Sequence, residues 1–254
     1  MINFLQIYYL TIRNVISRYR NYKVAIFWIL FKPLILLTVL TFTFQFIIEM
    51  NFNTKVSYVF YILSGLIIWT NFSNNLNDLS DSLLNNNMLI KSFYANKNNI
   101  YLSYILLNLI ELLVMTLILV LLLLIFEGLI IKFNLLYFLI TLLVLQLINY
   151  SLGIIFSFLL AKLRELKHII NIILQLGIFV NPIAYSMNFV PENLKPFFYF
   201  NPLILPIELF RLSIGIIDRF DNKITLYSLI TLVILGVTSF VLKKKYDLKI
   251  NELV

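Results

Sequence analysis

The chain has no cysteine, a single histidine and six glycines in 254 residues, and only 13% of its residues are charged. Each shortage removes a class of chemistry. Without cysteine there is no disulfide, no thiolate metal site and no cysteine nucleophile. With His168 alone, in a basic turn, neither a histidine-cluster metal site nor a His-x-Glu zinc motif can be built. The glycines, at 65, 128, 153, 177, 215 and 236, are scattered, so no glycine-rich loop cradles a phosphate and no GxxxxGK[ST] sequence exists. The chain does not hydrolyse ATP by that route. The shortage of charge excludes a soluble domain, whose polar shell takes roughly a quarter of its residues.

Apolar residues fill the gap, at 61%. They come in Leu/Ile/Phe runs of about 20, the length that crosses roughly 30 Å of hydrocarbon at 1.5 Å per residue. The runs lack period-2 alternation, which favours helices over a transmembrane barrel. The expected fold is an all-α integral membrane protein, one domain over 1–254, with six spans near 27–50, 58–82, 100–126, 134–161, 168–188 and 223–242. The apolar stretch 197–217 is not counted as a seventh. Pro202, Pro206, Glu208 and Arg211 interrupt it, and each is costly at the centre of a lipid-facing helix. Six spans with both ends inside put fourteen of the twenty Lys and Arg residues on the inner side, the positive-inside arrangement. The net charge of +8 then reflects basic loops facing an anionic leaflet, with no nucleic-acid partner implied.

Three segments outside the spans carry a pattern. In residues 1–23, Leu5, Tyr8, Ile12, Val15, Ile16 and Tyr19 share one helical face. Gln6, Arg13, Asn14, Ser17, Arg18 and Arg20 share the other. That spacing predicts a helix lying in the headgroup plane. The order of charge and apolar stretch is the reverse of a signal peptide. Residues 83–99 place the apolar core MLIKSFY between asparagine-rich ends, a short helix on the cytoplasmic surface. Residues 189–222 are apolar but broken by Pro191, Pro196, Pro202 and Pro206, a re-entrant hairpin tolerable at membrane depth only where protein or a cavity surrounds it.

Ionisable groups at membrane depth are few. Glu111, halfway along the third span, either binds a proton or substrate group or pairs with a Lys, a Tyr hydroxyl or an Asn of the bundle. Asp78 and Asp81 are the only clustered acids that a membrane enzyme acting on lipid-linked sugars has to offer, and they also read as a polar helix end. Tyr58, Tyr61, Trp69, Phe72, Tyr185, Phe198 and Tyr199 fall at span ends and in the broken segment, where aromatic faces suit sugar rings.

The strings RYRNYKVAIFWILFKPLI, YILSGLIIWTNFSNNLNDLSDSLLNNNMLIK and LRELKHIINIILQLGIFVNPIAYSMNFVPENLKPFFYFNPLILPIELFR, in this order, resemble the permease subunit of ABC-type polysaccharide exporters. That family moves lipid-linked O-antigens, capsules and teichoic acids. The resemblance runs over roughly residues 10–215. It implies a cytoplasmic mouth at Arg18, Arg20, Tyr22 and Trp28, beside Pro33. It implies an ATPase-coupling helix at 84–97 carrying Asn87, Met88, Leu89, Ile90, Lys91 and Phe93. It further implies a substrate path or gate with Tyr58, Trp69, Phe72, Pro182, Tyr185, Pro191, Asn201, Pro202, Glu208 and Arg211, and a Gly65-Leu66…Trp69 element in the second span. Glu165 stands where the family has aspartate after Arg164, and Val24-Ala25-Ile26-Phe27 lacks the family's glycine before Trp28. The implied assembly is a homodimer with two copies of a separate ATP-binding subunit in a prokaryotic cytoplasmic membrane. Cofactors, ATP and magnesium, belong to that subunit and none to this chain. The basic first helix would attract a lipid carrier's pyrophosphate, and Glu208 and Arg211 would support the gate's fold or its partner contacts. The same architecture also serves permeases exporting a drug, a bacteriocin or a lipid.

Overall fold

A computed structural model describes residues 3–19, 25–48, 56–92, 96–128 and 133–246. Ten helices follow one another: α1 (Phe4–Tyr19), α2 (Ala25–Thr41), α3 (Tyr58–Asn85), α4 (Asn87–Lys91), α5 (Lys97–Glu127), α6 (Leu135–Lys162), α7 (Leu166–Val180), α8 (Lys195–Tyr199), α9 (Ile204–Ser213) and α10 (Asn222–Tyr246). A π-helical turn, Phe42–Ile47, prolongs α2, and a 3₁₀ turn, Met187–Phe189, lies between α7 and α8. Among the described residues there is no strand. Three helices, α5, α6 and α10, are long and apolar enough to cross a membrane, and α7 and the stretch Pro33–Gln45 are shorter apolar helices. This is the make-up of a multi-span membrane protein.

α3 is the axis of the bundle. α5 and α6 pack along it, α2 covers a third side, and α9 and α10 lean on α6. The first half of α3 is apolar all round and enclosed all round, with Ile62, Leu66 and Ile68 fully buried, as expected of a central helix. Its second half, Asn71 to Asn85, is rich in Asn, Asp and Ser. Such a stretch is enclosed in the bundle only where neighbouring helices supply partners.

Local chemistry sets the ends. The Asn96 side chain accepts from the Asn98 N–H at the start of α5, and Asn134 accepts from Leu136 and Tyr137 at the start of α6. Gly128, with φ of 57°, ends α5 in the left-handed conformation that glycine adopts without strain. α7 stops at Val180, eight residues before the end expected for the fifth span, because Asn181 precedes Pro182 and is pushed out of the helical region. α8 and α9 have five and ten residues. At 1.5 Å per residue the longer of them reaches about 15 Å, half a bilayer, so 197–217 holds no crossing helix.

α1 packs along α5. Its hydrogen bonds to α5 join Gln6 to Asn99, Thr11 and Asn14 to Ser103, and Arg18 to Glu111, at sequence separations of 93, 92, 89 and 93. A nearly constant separation means that α1 runs beside α5 and parallel to it for three turns. Ile7, Leu10, Thr11 and Asn14 are buried against the bundle, whereas Phe4, Leu5, Tyr8, Tyr9, Ile12 and Ile16 point outward, as do Arg13 and Ser17. The packed side thus takes Asn14 from the expected polar face, together with Ile7 and Leu10.

Candidate functional site

Two polar clusters sit at opposite ends of α3. The one in the C-terminal half of α3 gathers Arg18 from α1, Asp78 from α3 and Glu111 from α5. The Arg18 guanidinium donates to both carboxylates, and the Tyr19 hydroxyl also donates to Glu111. Asn108 adds a bond to Asp78 at 2.9 Å. Of the two roles open to Glu111, the structure gives it partners, a tyrosine hydroxyl and an arginine. Asp78 is more than a polar helix end, since it shares that arginine. Asp81 takes Lys167 at the start of α7 at 2.7 Å, and the same ammonium bonds Asn77 Oδ1 at 3.1 Å.

The cluster at the N-terminal end of α3 centres on Arg211 in α9, which is fully buried. Its Nε donates to Ser64 Oγ at 3.3 Å. Nη1 donates to the Tyr61 hydroxyl at 2.8 Å and to Glu208 at 3.0 Å, and Nη2 to the carbonyls of Ile183 at 2.8 Å and Tyr61 at 3.4 Å. All five N–H groups of the guanidinium are thereby used. The group also lies 3.7 Å from the centre of the Tyr61 ring. Gly65 makes this approach possible, since a Cβ there would stand 2.9 Å from Arg211 Nη2. Around it, the Tyr58 hydroxyl donates to the Ala184 carbonyl, Tyr61 to the Tyr185 carbonyl at 3.3 Å, and Tyr185 to the Val180 carbonyl at 2.9 Å. Asn201 donates to Asn181 at 3.0 Å. Tyr58 stacks on Tyr61, and Tyr185 meets Phe198 edge-on. One residue of α9 thus binds the chain after α7 to the N-terminal half of α3.

The expected path residues divide by exposure. Tyr58, Trp69, Phe72, Pro182, Glu208 and Arg211 are buried within the chain, and the Trp69 ring lies where a side chain on Gly177 would be. Tyr185, Asn201 and Pro202 are half-buried and Pro191 is exposed. On α4, Met88 is 87% exposed and Lys91 also faces out, whereas Ile90 is 4% exposed and packs in one apolar cluster with Leu10, Leu79, Leu83 and Ile100. Ile90 is therefore the anchor of α4 and Met88 its outward contact. Asn87 and Leu89 are half-buried. Arg20, Tyr22 and Phe93 lie outside the described residues, and of Trp28 only the backbone is described, within α2.

Between the clusters lies a seam that the sequence reading missed. Asn71 and Asn75 of α3, Asn108 of α5, and Gln146 and Asn149 of α6 bring five carboxamides together inside the bundle. Asn71 donates to the Asn108 carbonyl at 2.6 Å and Asn75 to Gln146 at 3.3 Å. The Oδ1 atoms of Asn71, Asn75 and Asn108, the Gln146 Nε2 and both polar side-chain atoms of Asn149 are buried without a hydrogen bond. The spacing Asn71, Asn75, Asp78 along one helix face was the available signal.

The helical bundle, the broken segment between α7 and α10 and the short helix α4 are the make-up of a multi-span membrane domain. Residues 5–214 match the family of ABC-2 type transporters, and the chain belongs to that family. No curated protein matches it. The chain is accordingly the transmembrane component of an ABC-2 type exporter, a permease and not an enzyme. Permeases of this family pair with ATP-binding subunits.

Proposed function

We propose that this permease exports a lipid-linked polysaccharide across a prokaryotic cytoplasmic membrane, as a homodimer carrying two copies of a separate ATP-binding subunit. Six spans, α2 with its π turn, α3, α5, α6, α7 and α10, leave both termini in the cytoplasm. α4 is the surface on which the ATP-binding subunit presses, and residues 189–222 form a re-entrant gate at the outer end. ATP-driven closure of the ATPase pair moves α4 and opens a path along the permease interface. The observation that carries this reading is convergence. Motifs of the resemblance that are far apart in sequence meet around one end of α3: Gly65 under Arg211, Trp69 on Gly177, Tyr61 at Tyr185, and Asn181 at Asn201. The half-buried Tyr185 and Phe198 offer aromatic faces to a passing glycan without a deep pocket to retain it.

The test is removal of the chain from its source cells, with lipid-linked glycan followed on both membrane faces. Glycan accumulating on the cytoplasmic face supports the reading. Unchanged glycan with altered resistance to a drug or bacteriocin would replace the cargo. The docking assignment is tested by Met88→Asp, which should leave the permease inserted but abolish recovery of the ATP-binding subunit in a mild-detergent pull-down. Ile90→Asp is the poorer test, because it places a charge in an apolar cluster.

A further inference from the structure

α1 joins two places that the export reading treats separately. Arg13 donates to Asn86 Oδ1 at 2.5 Å, at the corner between α3 and α4, and Leu10 shares the apolar cluster of Ile90. Little more than a turn further on, Arg18 holds Asp78 and Glu111. One short helix thus reaches from the corner that carries Met88 to the inner carboxylates. Its grip on α5 is made by small polar side chains, with Asn14 donating to Ser103 Oγ at 3.0 Å and Asn99 donating to Gln6. Its other side, from Phe4 to Ile16, is exposed, so none of the described residues of this chain stands behind it to oppose displacement. Arg18 itself keeps 25% of its side chain exposed, which gives the guanidinium alternative partners in water and headgroups at the inner edge.

We propose that α1 is a coupling strut that detaches from α5 when ATP engages the partner subunit, and that Arg18 is the positioning residue that holds it in the attached state. The proposal rests on α4 as the surface pressed by that subunit. Displacement of the α3–α4 corner carries Asn86 and Arg13 with it, and the rigid α1 transmits the motion to its far end. Arg18 then leaves the two carboxylates.

The absence of native cysteine makes the test direct. Asn14→Cys/Ser103→Cys, in the complete complex reconstituted in lipid, is oxidised without nucleotide and again after trapping with magnesium, ATP and vanadate. The disulfide should form readily in the first state and about tenfold more slowly in the second, the size of a modest population shift. Tyr101→Cys/Ser157→Cys, joining α5 to α6 and bridged with a short bifunctional thiol reagent because the tyrosine hydroxyl makes that contact, is the reference pair and should not respond. Arg18→Gln added to the first pair should slow its cross-linking without nucleotide, and Arg18→Lys should restore it in part. Equal rates in both nucleotide states overturn the strut, and an Arg18→Gln variant that cross-links normally overturns the positioning role. The readout does not involve the cargo. A wrong cargo leaves it intact, whereas a complex that never contains an ATPase fails earlier, at purification.

Discussion

Arg211 and Arg18 each bind α3 to a distant part of the chain, and they do so in opposite ways. Arg211 is fully buried, uses every donor it has, and takes three of its five bonds from neutral oxygens whose positions the backbone fixes or nearly fixes. Arg18 is a quarter exposed and answers two carboxylates on two helices. Along α3 the residues they hold, Tyr61 and Asp78, are seventeen positions apart, or about 25 Å, nearly the hydrocarbon thickness. A desolvated cation that uses every donor on fixed acceptors has no second arrangement of similar energy, whereas a partly wet cation can exchange its carboxylates for water. The Tyr61 end of α3 is therefore stapled and the Asp78 end is latched.

That contrast predicts an order of effects. Arg211→Met should be the most damaging change, costing about 3–5 kcal/mol because Glu208 is left as an unpaired buried acid, read as a large drop in thermal unfolding temperature in detergent. Arg211→Lys should rescue little, since one ammonium cannot reach all five acceptors. Equal stability of wild type and Arg211→Met would erase the distinction. Arg18→Gln should cost less, about 2 kcal/mol, as befits charged hydrogen bonds near solvent. Adding Asp78→Asn and Glu111→Gln should return most of that loss by removing the charges left unpaired. Asn149→Leu should go the other way and stabilise by about 1 kcal/mol, because it removes a buried donor and acceptor that have no partner; a lower unfolding temperature would show that the amide is satisfied after all. The smallest effect concerns pH at the outer surface. The Tyr199 hydroxyl and then the Lys223 N–H hold the Asp221 carboxyl below its ordinary range. Its contribution is present above the unfolded carboxylate value, near 3.9, and is lost as the pH falls through the lower folded value. Asp221→Asn should therefore lower stability slightly at neutral pH, with the difference closing as the pH falls through the folded value; a difference that persists unchanged in acid would contradict the assignment.

Much of the fold was legible in residue order because a membrane helix is announced by length and composition alone. The apolar runs at 58–82, 100–126 and 134–161 lie on α3, α5 and α6 almost end to end. The breaks in 197–217 follow from prolines and an ion pair that any lipid-facing helix would reject. What could not be read was which face of a helix turns inward. On α1 the packed side holds Ile7 and Leu10 with Asn14, while Arg13 and Ser17 face out, a division that the periodicity of the segment does not give. Nor does local spacing encode partners: Arg18 is 60 residues from Asp78 and 93 from Glu111. Met88 and Ile90, two apart on a five-residue helix, were equivalent as apolar letters, and only the packing of Leu10, Leu79 and Leu83 separates anchor from contact. The amide seam left a signal only in the spacing along α3, since its other members, Asn108, Gln146 and Asn149, sit on two different helices.

The docking of α1 also carries a consequence for synthesis. α1 is made before α3 and α5, yet Gln6, Asn14 and Arg18 find Asn99, Ser103, Asp78 and Glu111 on those two helices, tens of residues further along the chain. Until α5 has entered the bilayer, α1 has an apolar face for lipid and a polar face with nothing but water and headgroups to meet it. The flat interfacial pose written in its periodicity is then the pose of the nascent chain. Docking against Asn99 and Ser103 comes last, as a folding step gated by the insertion of a helix whose first residue is the ninety-seventh.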